Sequence, residues 1–165
     1  MQEEQGIVKR CNMGLPKATA YLVEWFVRYT KNRDLLFRKI SEIKEEGENV
    51  LVKQKDGKTL LYHVQPFPDD FGKLAESIQE EQKGIVVYNS KENFDSMMKE
   101  WKRLSGIKGL TIYFVNPFSK LEKRWIISPN IHSKISDAQS LKEGLNSMYL
   151  MVDPISKEEV EELTK

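Results

Sequence analysis

One cysteine, Cys11, and two histidines, His63 and His132, are the only thiol and imidazole side chains in this 165-residue chain. A single thiol excludes an internal disulfide and points to a reducing, cytoplasmic setting. The spacing of these three residues suggests no conventional zinc site. No apolar run approaches the ~20 residues of a membrane-spanning helix. The opening stretch MQEEQGIVKR has no apolar core, so no secretory signal is expected. Glycine pairs Gly6/Gly14 and Gly106/Gly109 lack the spacing of a P-loop or dinucleotide-binding loop. Ser128 precedes Pro129 and forms no nucleophile elbow. Charge of one sign is also missing: 26 Lys and Arg face 25 Asp and Glu, a net of +1. Any affinity for a polyanion must therefore come from a local cluster of bases.

What is present reads as one globular domain, since 39% of the residues are hydrophobic and no repeat or low-complexity linker divides the chain. The Lys- and Glu-rich surface is compatible with a thermophilic, archaeal-like source. Residues 1–15 are expected to form a loose arm, 16–153 a single mixed α/β domain, and 154–165 a short acidic helix or solvated tail.

Asp56-Gly57 sits between two apolar-rich runs, Val50-Leu51-Val52 and Thr59 to Gln65, and predicts a β-hairpin. His63 and Gln65 stand two apart on its second strand and share one face. Ahead of the hairpin, Pro16 opens a helix carrying Ala18, Leu22, Trp25, Phe26 and Tyr29, which Lys31 to Asp34 should break. Leu35 to Ile43 fits either element and is assigned to a strand, with a turn at Lys44 to Gly47. Beyond the hairpin, Asp69 or Asp70 caps a helix that Gly84 should stop, and Ile85 to Tyr88 reads as a doubly buried strand. Asn89-Ser90 caps a helix with Phe94, Met97, Met98, Trp101 and Leu104 as its core stripe. Leu110 to Val115 and Lys123 to Ser128 read as a second hairpin, with His132 in the loop that follows. Ser136-Asp137 caps a helix bearing Leu141, Leu145, Met148 and Tyr149, and Ser156 with Glu159 forms a capping box. The order α-β-β-β-α-β-α-β-β-α predicts a mixed sheet flanked by helices.

The stretch ENVLVKQKDGKTLLYHVQP, with the helix before it, resembles the core of the PD-(D/E)xK superfamily, the restriction-endonuclease-like fold that includes archaeal Holliday-junction resolvases. The resemblance covers roughly residues 16 to 130 by element order and specific letters only at the hairpin. It implies that Asn49 stands where the family carries its first acid, His63 its Glu and Gln65 its Lys. Glu24 lies on the helix where some members carry a further metal-site acid. Two acids hold a divalent cation in the active family, and Asn, His and Gln replace that set poorly. The resemblance thus implies a catalytically inactive nuclease-like domain without a cofactor, binding nucleic acid or a nucleic-acid-processing partner. The run through LTIYFVNP to KRWIISP is also similar to the terminal strands of tRNA-splicing endonucleases. The Tyr/His/Lys site of those enzymes is not matched residue by residue.

Lys53, Lys55, Lys58, Lys123 and Arg124 are the expected nucleic-acid contacts, with Trp125 as a stacking surface and Arg33, Arg38 and Lys120 as further bases. One alternative is an active, magnesium-dependent nuclease with an atypical site drawn from Glu24, Glu48, Asp56 and Asp69. Another is an assembly module that docks a second copy or a partner protein through Leu141, Leu145, Met148 and Tyr149.

Overall fold

A computed structural model describes residues 14–165. Most of the expected N-terminal arm, with Cys11, lies outside the described residues. The elements in chain order are α1 (Lys17–Phe37), β1 (Ile40–Glu46), β2 (Asn49–Gln54), β3 (Thr59–Val64), α2 (Phe71–Ser77), β4 (Gln82–Tyr88) and α3 (Lys91–Lys99). They continue with α4 (Trp101–Ser105), β5 (Leu110–Val115), β6 (Arg124–Ile127), α5 (Pro129–Ile135), α6 (Ala138–Met151) and α7 (Lys157–Leu163). No described helix is long and apolar enough to cross a membrane.

The six strands form one mixed sheet in sequence order, β1-β2-β3-β4-β5-β6. β1, β2 and β3 are antiparallel neighbours, β3, β4 and β5 run parallel, and β6 returns antiparallel to β5. The α/β class, the mixed sheet and both hairpins therefore follow the sequence expectation. At the central hairpin Asp56 Oδ1 accepts from Lys58 N at 2.9 Å and Gly57 takes φ +90°. That positive φ is the reason glycine stands there.

Alternation along the strands splits the core into two layers. Val50, Val52, Val64, Val86, Tyr88, Tyr113 and Val115 face α1 through Leu22, Val23, Phe26 and Val27. Ile85, Val87, Leu110, Ile112, Phe114, Trp125 and Ile127 face the opposite side, where α2, α3, α4 and α6 pack. The carboxyl ends of the parallel strands, where open α/β sheets usually hold ligands, are closed by the chain itself. Asn89 Nδ2 donates to the Tyr149 and Val152 carbonyls at 3.1 Å each, and its Oδ1 accepts from Trp125 Nε1 at 2.8 Å. Ile155 N donates to the Asn89 carbonyl at 3.0 Å, and Asn116 Nδ2 donates to the Asp153 carbonyl at 2.9 Å.

Several boundaries differ from the sequence reading, each for a local reason. α1 does not break at Lys31 to Asp34, because none of those residues is proline or glycine. It runs to Phe37 and ends when Arg38 enters the left-handed region at φ 48°. Asp34 serves that end, its carboxylate accepting from Lys39 N at 2.8 Å and Ile40 N at 3.2 Å. Leu35, Leu36 and Phe37 are thus helical and exposed, and the strand begins only at Ile40. The turn after it is Gly47-Glu48 rather than Lys44 to Gly47. Gly84 does not stop α2. It lies buried inside β4, where a Cβ would meet the Tyr62 ring at 2.4 Å. Helix 91–105 divides at Glu100 into α3 and α4. His132 is in a helix, not a loop, since Pro129 occupies a first-turn position of α5. The acidic C-terminal helix is not wholly solvated: Val160 is 0% exposed and packs with Ile155 into the layer beneath α1. Leu145 and Tyr149 are buried, and Leu141 and Met148 pack beside them, so this face of α6 caps the sheet.

Candidate functional site

Two arrangements stand out on the β1–β3 end of the sheet, one on each face. The first is the set implied by the family resemblance. Asn49 and His63 are direct cross-strand partners, and Gln65 follows two residues on. His63 Nδ1 lies 2.7 Å from Asn49 Oδ1, and Nε2 lies 3.1 Å from Gln65 Oε1. Glu48 Oε1 stands 3.9 Å from Nε2, and the His63 side chain is 12% exposed. With both amide oxygens turned inward, the imidazole must carry two N–H groups. With a neutral ring, one amide turns its NH2 to the bare nitrogen. Either way the three side chains satisfy one another.

A hard cation such as magnesium asks for several anionic or carbonyl oxygens at once. One carboxylate beside an imidazole and two amides already paired does not fit that need. Among the described residues no three His, Cys, Asp or Glu side chains come together as a metal set. Glu24 does not join this array. Burial pushes the Glu45 carboxyl up, Lys31 opposes the rise and Glu24 adds to it, so the Glu24 charge is felt on the Glu45 side of the sheet. Glu45 pairs with Val50 and so faces α1, whereas Asn49 and His63 face the other way. Asp56 is held in the hairpin turn, Asp69 is exposed ahead of α2, and neither reaches Glu48 in such a set.

The second arrangement is a pocket of about 280 Å³ on the α1 face, at the other end of the hairpin. Its wall includes Tyr29, Arg33 and Phe37 from α1, Gln54 from β2, Tyr62 from β3 and Tyr113 from β5. These side chains meet because Arg33 and Phe37 continue the helical spacing of Tyr29, while Tyr62 and Tyr113 sit on the α1-facing alternation of their strands. The Tyr62 and Tyr113 rings cross edge to face at 5.8 Å. Burial pushes both phenols up, and the Arg33 guanidinium acts on both in the opposite direction. Arg124 Nε donates to the Tyr29 hydroxyl and its guanidinium lies over that ring at 5.3 Å.

Bases gather around the pocket mouth. Lys55 N donates to the Lys39 carbonyl at 2.8 Å, which brings the β2–β3 turn against the end of α1. Arg33, Arg38, Lys39, Lys55 and Lys58 are all exposed there, and none ion-pairs with a carboxylate among the described residues. Asp34 and Asp56, which stand at this end, are occupied by backbone N–H groups.

The six expected nucleic-acid contacts do not form one surface. Lys55 and Lys58 belong to this basic end. Lys53 faces the other side of β2 and pairs with Glu42 at 3.6 Å. Lys123 lies at the β6 edge, its Nζ donating to the Pro117 and Ser119 carbonyls at 3.0 and 3.1 Å, whereas Arg124, also on β6, reaches the Tyr29 hydroxyl that Arg33 Nη1 approaches at 3.5 Å and so adjoins the pocket wall. Trp125 is 3% exposed and stacks on Phe114 at 4.4 Å, so no base can reach its face. Sequence reasoning missed the tyrosine pocket. Its signal was Tyr29 and Arg33 at helical spacing, lost when the helix was ended at Lys31.

No family model, curated protein or solved structure gives a significant match to this chain.

Proposed function

We propose that this chain is a nuclease-like domain that binds nucleic acid without cutting it, on its own or beside a nucleic-acid-processing partner. The observation that carries the binding is the basic end of the sheet. Five cations without an ion-pair partner among the described residues, Arg33, Arg38, Lys39, Lys55 and Lys58, surround a tyrosine-lined pocket in a chain whose net charge is only +1. Phosphate contacts by such groups supply most of the affinity of non-specific nucleic-acid binding. The nuclease likeness draws on the α-β-β-β-α-β order and the hairpin letters. The absence of cutting follows from chemistry: Asn49, His63 and Gln65 provide neither two acids for a metal nor a cation for a developing phosphorane.

The test is a panel of labelled single-stranded, duplex and branched DNA and RNA, with magnesium, with manganese and with chelator. Salt-sensitive binding with intact substrate in every lane is the expected result. Metal-dependent cutting would overturn the inactive-site reading and redirect attention to Glu48. Failure to bind any substrate would overturn nucleic-acid binding. It would leave the exposed Leu35-Leu36-Phe37 end of α1, 73%, 87% and 56% accessible, as a surface for a protein partner.

A further inference from the structure

The rim of bases accounts for phosphates, but not for the pocket it encloses. About 280 Å³ falls just below the ~300–1,000 Å³ of a typical small-ligand site, so the space suits one aromatic ring system rather than a run of them. Four of its twelve wall residues are aromatic, and its neutral polar groups are the Gln54 amide, the Tyr29, Tyr62 and Tyr113 phenols and the Thr30 hydroxyl, which already donates to the Phe26 carbonyl at 2.8 Å. Phe37 stands at the mouth with Arg33 at 6.0 Å and Lys39 at 5.8 Å from its ring centre. Asp34 is the one carboxylate in the wall, and it is bonded to Lys39 N and Ile40 N rather than to either cation's side chain. Aromatic wall residues with amide and phenol donors recognise a base, and two cations with no carboxylate partner among the described residues recognise the phosphate beside it. The pocket lies on the opposite face from Asn49 and His63, its wall running from Tyr62, the chain neighbour of His63, to Gln54, about 16 Å along β2 from Asn49 at ~3.3 Å per residue.

We infer that this pocket takes one unstacked nucleotide, with the base against Phe37 and Tyr62 and the phosphate on Arg33 and Lys39; the Tyr29 ring is already stacked on Trp25 and covered by Arg124. In the setting of the proposed function this makes the domain a reader of single strands or splayed ends, since a paired base cannot enter. The inference rests on that reading for its source of nucleotides, although a free nucleotide presents the same chemistry.

The test measures fluorescence anisotropy of a short homopyrimidine strand and of its duplex, with AMP as competitor. It compares the unaltered protein, Phe37→Ala, Arg33→Ala, and the double change Lys55→Ala with Lys58→Ala. All four side chains are exposed, so the variants keep the core, and their melting temperatures check this. Phe37→Ala should weaken strand binding on the order of tenfold and leave duplex binding within about twofold, whereas Arg33→Ala should weaken both and the strand more. The lysine double variant should weaken both substrates alike. AMP should displace the strand from the unaltered protein. If only the lysine variant loses affinity, the pocket inference falls and the proposed function stands. If AMP binds in an Arg33-dependent way while no strand does, the pocket is a free-nucleotide site and the proposed function falls. Binding of neither overturns both.

Discussion

Asn89 shows how much one polar side chain does in this molecule. It is wholly buried at the end of β4, and its amide joins β6 through Trp125 and the last turn of α6 through two carbonyls. Asn89→Ala would strand one indole N–H and two carbonyls in the core, and an unsatisfied buried group costs about 1–3 kcal/mol. We expect a loss of about 3 kcal/mol in urea unfolding with the m-value unchanged. A loss below about 1 kcal/mol would mean that the three partners find other bonds. Gly84 matters in a different way. It leaves room for the Tyr62 ring, which forms one wall of the tyrosine pocket, so the pocket depends on a missing Cβ in β4.

At the scale of elements, the strands were legible because their residues obey one rule each. Ile85 to Tyr88 and Leu110 to Val115 are continuous apolar runs buried on both faces, and Asp56-Gly57 marks its own turn. The helices were less so. Leu35, Leu36 and Phe37 are apolar and therefore looked like a buried strand, yet they end α1 in solvent. Apolarity alone cannot distinguish a core from a binding surface. Asp34 fixes that end through two backbone N–H groups that lie beyond it in sequence, a tertiary feature no local pattern announces. α7 misled in the other direction. Five of its seven residues are charged, but Val160 is enough to dock it beneath α1. Val160→Ala should therefore cost about 2 kcal/mol by the burial lost and the cavity left. An unchanged melting curve would return this helix to the solvated tail that its composition suggests.

The candidate site was half legible. Asn49, His63 and Gln65 could be placed together because the hairpin register brings residues of one face into contact. The pocket could not, since Tyr29, Tyr62 and Tyr113 come from three elements and meet only once α1 lies across β3 and β5. Arg124 and Trp125 show the same limit. Alternation sends neighbours to opposite faces, one to the Tyr29 ring and one into the core.

For the whole molecule, Arg33, Arg38, Lys39, Lys55 and Lys58 set a local positive charge at one end of a nearly neutral domain. Its ends differ: the carboxyl side of the parallel strands is sealed by the chain, and the hairpin side is open, basic and aromatic. The most direct measurement is the salt dependence of single-strand affinity between about 50 and 200 mM salt, for the unaltered protein and for a variant with Arg33, Lys39, Lys55 and Lys58 all changed to Ala. The account predicts a steep decline of affinity with salt for the unaltered protein. It predicts a log–log slope shallower by roughly 0.7 per lost phosphate contact in the variant. Equal slopes, or affinity that ignores salt, would contradict it.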